Sequence, residues 1–284
     1  MKTREPFKWV AVGTIWTWLA LFALLPNAMV LVASVLERGQ DQFFAFAFTL
    51  ASYRRLLDPL YLSVLLDSLY LAALTTVLCL LIGYPFAYLL AQAPARRRAL
   101  LLLLVIIPFW TSSLVRTYAM VILLKTNGLI NQMLLGLGWI SEPLELLYTT
   151  PAVIAGMCYA LLPFMILPLY AALEKLDRRL IEAAHDLGAG RVTIFRRVII
   201  PLTLPGIIAG AMLTFLPALG MFYVADLLGG AKTMLVGNLI RDQFLAARDW
   251  PFGSAASAML TGLMALLMWA YYQSSRRANR GALP

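Results

Sequence analysis

The sequence predicts an all-α integral membrane protein with six transmembrane helices, and three observations carry that prediction. Of its 284 residues, 62% are hydrophobic and only 13% are charged, with a mean hydropathy of +0.81, a composition outside the range of soluble domains. Six stretches, near 10–35, 64–90, 100–121, 151–172, 203–225 and 253–273, each supply the roughly 20 apolar residues that a bilayer-spanning helix needs. The 23 Lys and Arg residues also segregate: 15 fall at the termini, at Arg96–Arg98 and between Lys175 and Arg197, whereas 7 fall in the alternate loops. The positive-inside rule therefore places both termini and the 174–201 segment in the cytoplasm. A formal charge of +9 distributed in this way is a topology signal and gives no support to nucleic-acid binding.

Each element has its own reason. Lys2, Arg4 and Lys8 precede an apolar run from Trp9 to Val35, which exceeds the about 7–15 residues of a signal-peptide core and reads as a retained first helix. The third helix follows Arg96–Arg98 and ends near Arg116, whose expected role is a structural ion pair. Cys79 and Cys158 lie in apolar runs without His or Cys at ligand spacing, so they read as small buried hydrophobes, with no disulfide framework and no metal site. The fifth helix contains Pro205 and Pro217, which membrane helices tolerate where neighbours cover the freed backbone. Its GIIAG run at 206–210 has the spacing of small residues that permits close helix approach, against this chain or another. No internal repeat or linker divides the chain, so residues 1–284 are expected to form a single transmembrane domain.

Between the fourth and fifth helices the sequence runs LEKLDRRLIEAAHDLGAGRVTIFRRVIIP. Glu182, Ala183 and Ala184 favour helix and Gly188 and Gly190 can end it, which predicts a short helix, a turn and a second helix. Leu180, Ala183, Ala184 and Leu187 form an apolar strip that a partner or the membrane surface could cover.

The spacing EAA, three residues, Gly, nine residues and an Ile-x-Leu-Pro ending resembles the signature of permease subunits from bacterial ABC importers. Glu182, Ala183, Ala184, Gly188 and Pro201 match, while Val198 and Ile200 stand where the pattern usually has Ile and Leu. Longer stretches, among them PFWTSSLVRTYAM, PALGMFYVADLLGGAK and RDWPFGSAAS, are similar to spermidine/putrescine importer permeases, specifically the first of their two homologous subunits. The resemblance implies a type I ABC importer permease fold in the bacterial inner membrane. It further implies that 174–201 holds a coupling helix docking on a dimer of ATPase subunits, which bind ATP and Mg, with no cofactor in this chain. The implied partners are a homologous second permease, that ATPase pair, an external polyamine-binding protein and membrane lipid.

A polyamine needs carboxylates for its ammonium groups and aromatic faces beside them. Asp226 follows Phe222 and Tyr223 at the expected outward end of helix five; Trp110 lies in helix three, Tyr159 in helix four and Asp67 near the outer end of helix two. These are the pathway candidates, although Trp110 and Tyr223 also suit an interfacial belt and Asp67 suits a helix end at the water boundary. The outward loops around Asp58, Lys232 and Trp250 are candidates for contact with the binding protein. GGAKT at 229–233 lacks the Gly that a phosphate loop has before its Lys, His185 is the only histidine, and no nucleophile has a matching base, so catalysis is not expected. The alternatives are a related importer for sulfate, iron or another small solute, and a secondary transporter working without an ATPase.

Overall fold

A computed structural model describes residues 5–39, 44–230 and 233–280; Lys2, Arg4 and Lys232 lie outside them. Along the chain run α1 (Glu5–Leu19), α2 (Leu25–Ala33), the strands β1 (Leu36–Glu37) and β2 (Ala45–Phe48), α3 (Ala51–Leu56), α4 (Pro59–Gln92), α5 (Ala95–Ile106), α6 (Ser113–Leu124) and α7 (Leu129–Gly136). There follow α8 (Thr150–Glu174), α9 (Arg178–Asp186), α10 (Arg191–Ile194), α11 (Ile200–Gly220), α12 (Phe222–Val224), α13 (Val236–Leu245) and α14 (Trp250–Arg280). Among the described residues six helical spans are long and apolar enough to cross a membrane: Lys8–Ala33, Pro59–Gln92, Ser113–Gly136, Thr150–Glu174, Arg191–Gly220 and Trp250–Gln273.

The third and fifth spans differ from the sequence expectation, the third lying at Ser113–Gly136 and the fifth at Arg191–Gly220. The third apolar stretch is not one helix over 100–121: α5 closes at Ile106, a 3-10 turn covers Ile107–Trp110, and Thr111 is extended. Pro108 lacks a backbone donor and its ring crowds the preceding turn, which favours the break here, although α4, α8 and α11 run through Pro85, Pro163 and Pro205. The fifth helix stops at Gly220 rather than continuing to 225, because Met221 takes a non-helical conformation (φ −78°, ψ 62°). Beyond it α12 and a wide π turn over Ala225–Gly229 form a separate segment.

The chain divides into two compact units, residues 1–63 with 239–265 and residues 64–238 with 266–284. The first is pinned around Asp249, which is only 5% exposed. Arg248 turns the chain with φ +51°, and Asp249 then caps α14, accepting the Phe252 amide at 3.2 Å. Its other oxygen accepts from Arg55 at 2.9 Å, with Arg38 at 3.7 Å. The Arg55 guanidinium also lies 4.3 Å over the Phe252 ring and donates to the Tyr61 hydroxyl. Asp249→Ala removes a cap and strands two half-exposed arginines, so it should lower stability by about 2 kcal/mol, with Asn recovering about half by keeping the capping acceptor. Thermal unfolding of the detergent-solubilised protein reads this; equal midpoints for the native and Ala proteins would contradict the pin.

In the second unit α8 is the central post. Its N-cap Thr149 accepts from the Ala152 amide, and residues such as Val153, Met157, Met165 and Leu169 are wholly buried. Cys79 of α4 and Cys158 of α8 face each other, each thiol directed at a carbonyl of the opposite helix (3.9 Å to Cys158 O, 3.8 Å to Thr75 O). The GIIAG run packs against α8 of this same chain, which settles its partner. A methyl built at Gly206 would stand 2.5 Å from the Ala172 Cβ, and one at Gly210 would stand 2.8 Å from the Met165 sulfur. Gly206→Val should therefore separate α11 from α8 and destabilise by about 2 kcal/mol. Gly13→Ala, in the interior of α1 where nothing lies within 4 Å, should not lower the same melting curve, and equal loss in the two variants would refute the close approach.

Candidate functional site

In the 174–201 segment the first helix and the turn form where the pattern predicts them. Asp177 caps α9 by accepting the Arg179 amide at 3.0 Å, and the helix runs through Glu182, Ala183 and Ala184 to Asp186. Its end is a Schellman closure: the Gly188 amide bonds His185 O at 2.8 Å and the Ala189 amide bonds Ala184 O at 3.0 Å. That closure needs a left-handed residue, and Gly188 supplies φ +78° with open space where a side chain would stand. The apolar strip is largely uncovered, with Leu180 at 48% and Leu187 at 88% exposed, and Val192 beyond the turn is exposed as well. Glu182 is exposed too and borders a cleft of about 400 Å³ with Tyr88, Gln92, Arg98 and Glu174. Arg98 and Glu174 pair at 2.8 Å there, tying the start of α5 to the end of α8.

The second predicted helix is not a separate piece. From Arg191 to Gly220 the chain is one uninterrupted helical rod, with a wide π turn over Phe195–Ile199. Pro201, which cannot donate to its preceding turn, stands directly after that widening. Tyr84 of α4 grips the rod twice, its ring edge-on to Phe195 at 5.6 Å and its hydroxyl 2.9 Å from the Thr203 hydroxyl. The Gly188 turn is thus joined by continuous helix to α11, whose glycines lie against α8.

At the other end of the rod lie most of the pathway candidates. α6 packs against both α8 and the Ala225–Gly229 turn that carries Asp226. Asn238, 3% exposed, donates to the Asp226 carboxylate and to Phe222 O, and its own carbonyl accepts the Leu235 amide. The Ser68 hydroxyl accepts the next amide, that of Val236, at 2.8 Å. Phe222 and Tyr223 stack edge-on beside it, 6.1 Å between centroids. Tyr159 is 45% exposed and Trp110 76% exposed. Asp67 lies on the exposed face of α4, with no hydrogen bond or ion pair among the described residues, and is not brought into this cluster by any contact. Sequence reasoning missed Asn238 and Ser68; the only signal was an amide at 238 set among apolar neighbours.

Arg116 corrects another expectation. It makes no ion pair among the described residues; its guanidinium lies over the rings of Phe109 (5.6 Å) and Tyr159 (5.8 Å). Phe164 closes the back of this recess, edge-on to Phe109 at 5.0 Å. The Arg116 Nε and Nη1 are buried without a hydrogen-bond acceptor. A second cation about 5 Å away would be repelled by about 3 kcal/mol at an effective dielectric of 20, more than the about 0.5–2 kcal/mol of one cation–π contact. The recess therefore holds one cation at a time.

Comparison with known proteins decides the class. Residues 83–280 match the family described as binding-protein-dependent transport system inner membrane component. The chain belongs to that family. It is 53% identical over 98% of its length to the Haemophilus influenzae spermidine/putrescine transport system permease protein PotB, covering 97% of that protein. The Escherichia coli PotB is 54% identical over 94% of this chain and 97% of its own. Among solved structures, the chain resembles a bacterial ABC transporter involved in the import of the acidic polysaccharide alginate, with a TM-score of 0.78, 17% identity and 96% coverage of both chains. At that identity the likeness speaks for the fold alone. Membership, with the six spans, makes this a multi-pass inner-membrane transport permease.

Proposed function

We propose that this chain is the first of two homologous permeases in an ATP-driven polyamine importer, fed by an external polyamine-binding protein and driven by an ATPase pair that holds the ATP and Mg. The observation that carries the reading is the identity of 53% and 54%, over nearly the whole chain, to two permeases whose names specify spermidine and putrescine. The chemistry agrees: a carboxylate held by an amide, two stacked rings beside it, and an aromatic recess formed by the 3-10 turn and α8 suit a chain with ammonium groups at intervals.

In this reading both termini and α9 face the cytoplasm, and Glu182, Ala183, Ala184 and Gly188 dock on the ATPase. Leu187 and Val192 bring apolar surface to that contact. Closure of the ATPase pair pushes on the turn, the Arg191–Gly220 rod carries the motion, and Met221, where helix gives way, lets the Asp226 segment tilt. Substrate-loaded receptor and ATP each favour the outward-open state by binding it better, and hydrolysis resets it.

The test is reconstitution of the complete transporter in liposomes with labelled spermidine, putrescine and sulfate outside. Spermidine or putrescine accumulating only with receptor and ATP is the expected result. Sulfate accumulation would overturn the substrate class, and uptake persisting without ATP would overturn the mechanism in favour of secondary transport.

A further inference from the structure

The Arg116 guanidinium works against a cation pathway on first sight. It lies over Phe109 and over Tyr159, one of the pathway candidates, among described residues that give it no carboxylate. Two of its buried donors are unmet, and unmet donors are destabilising. A purely structural arginine would be expected to have acceptors. Of the two rings that hold it, Tyr159 is 45% exposed, and Phe164, which packs edge-on against Phe109, is 37% exposed. An open aromatic recess is a site for a cation that can exchange.

We propose that Arg116 is a resident cation that fills the aromatic recess of the pathway when cargo is absent and is displaced by an alkylammonium head of the cargo. The proposal rests on the polyamine reading for the identity of the cargo. Like charges cannot share the recess, so the arriving ammonium takes the ring faces while the guanidinium swings out on its flexible stem and meets water with the donors that were unmet. Resting occupancy has a second consequence: small cations that carry no receptor and no second ammonium find the recess already taken. Arg116 is thus a specificity-determining residue that acts by competition rather than by binding the cargo.

The experiment uses the complete transporter in proteoliposomes with Arg116→Met, which keeps the stem and removes the charge, and Arg116→Lys, which keeps a cation. Two quantities are read: the KM for receptor-delivered spermidine, and ATP-independent efflux of preloaded tetramethylammonium. With Met the KM should fall about tenfold and the efflux rise about tenfold, while Lys should hold both near the native values. Adding Tyr159→Leu to the Met variant should return the efflux to the native level, since the vacated recess then lacks a wall. Arg116→Gln substitutes with the same expectations should the Met variant fail to assemble. Unchanged efflux, or a raised KM in the neutral variant, overturns the proposal. Were the native complex to transport no spermidine, the polyamine reading alone would fall, because the tetramethylammonium arm decides the competition by itself.

Discussion

Glu182→Lys should abolish ATP-driven uptake while the protein still inserts and assembles. Glu182 is exposed at the middle of α9, touches no partner within the described chain by hydrogen bond or ion pair, and so contributes little to folding. Reversing its charge against a docking surface costs about 3 kcal/mol, a ~100-fold loss of the coupled state. Gly188 separates backbone from bulk. At φ +78° with nothing within 4 Å of a built Cβ, Ala costs about 1 kcal/mol of strain and should leave measurable transport. Trp at the same position adds an indole to the face beside Leu187 and should remove it. Initial rates of uptake in proteoliposomes check the series; full activity of Glu182→Lys and Gly188→Trp would mean that α9 is a surface loop without mechanical duty.

Asp226→Asn should raise the KM for polyamine by about 10–100-fold, the loss of one charge-assisted contact of about 1.5–3 kcal/mol, with assembly intact. The reason assembly survives is in the site itself. Asn238 needs an acceptor at 226, and a carboxamide oxygen provides one, so the Leu235–Asn238 turn and the Ser68 bond to Val236 remain. Asp226→Leu removes the acceptor as well and should reduce the amount of folded protein. An unchanged KM in the Asn variant would take Asp226 out of the pathway.

Much of this was legible in the residues, for identifiable reasons. Apolar length fixes a spanning helix almost regardless of tertiary context, so six spans could be counted. The Schellman closure at Gly188 was readable because only glycine takes that conformation without strain. What could not be read were the interruptions. The bilayer-scale pattern is indifferent to whether Pro108 kinks or breaks its helix, or whether Met221 does, since the neighbours decide which backbone groups are covered. The same holds for Arg116: its isolated charge called for a counter-charge, and the rings that replace one come from α8 and the 3-10 turn, far apart in sequence. Asp249 was overlooked because its ion-pair partners, Arg38 and Arg55, are distant along the chain, and its local cap of Phe252 alone does not mark a pin.

The account turns on contact between α9 and a nucleotide-hydrolysing subunit, and cross-linking measures that contact directly. Leu187→Cys, on the most exposed apolar residue of the strip, should form a covalent product with the ATPase subunit of the assembled transporter under a short thiol-reactive linker, with a yield that changes between ATP-bound and nucleotide-free states. Labelling of that cysteine by an impermeant reagent added outside intact cells, or no product with the ATPase in either state, would contradict it.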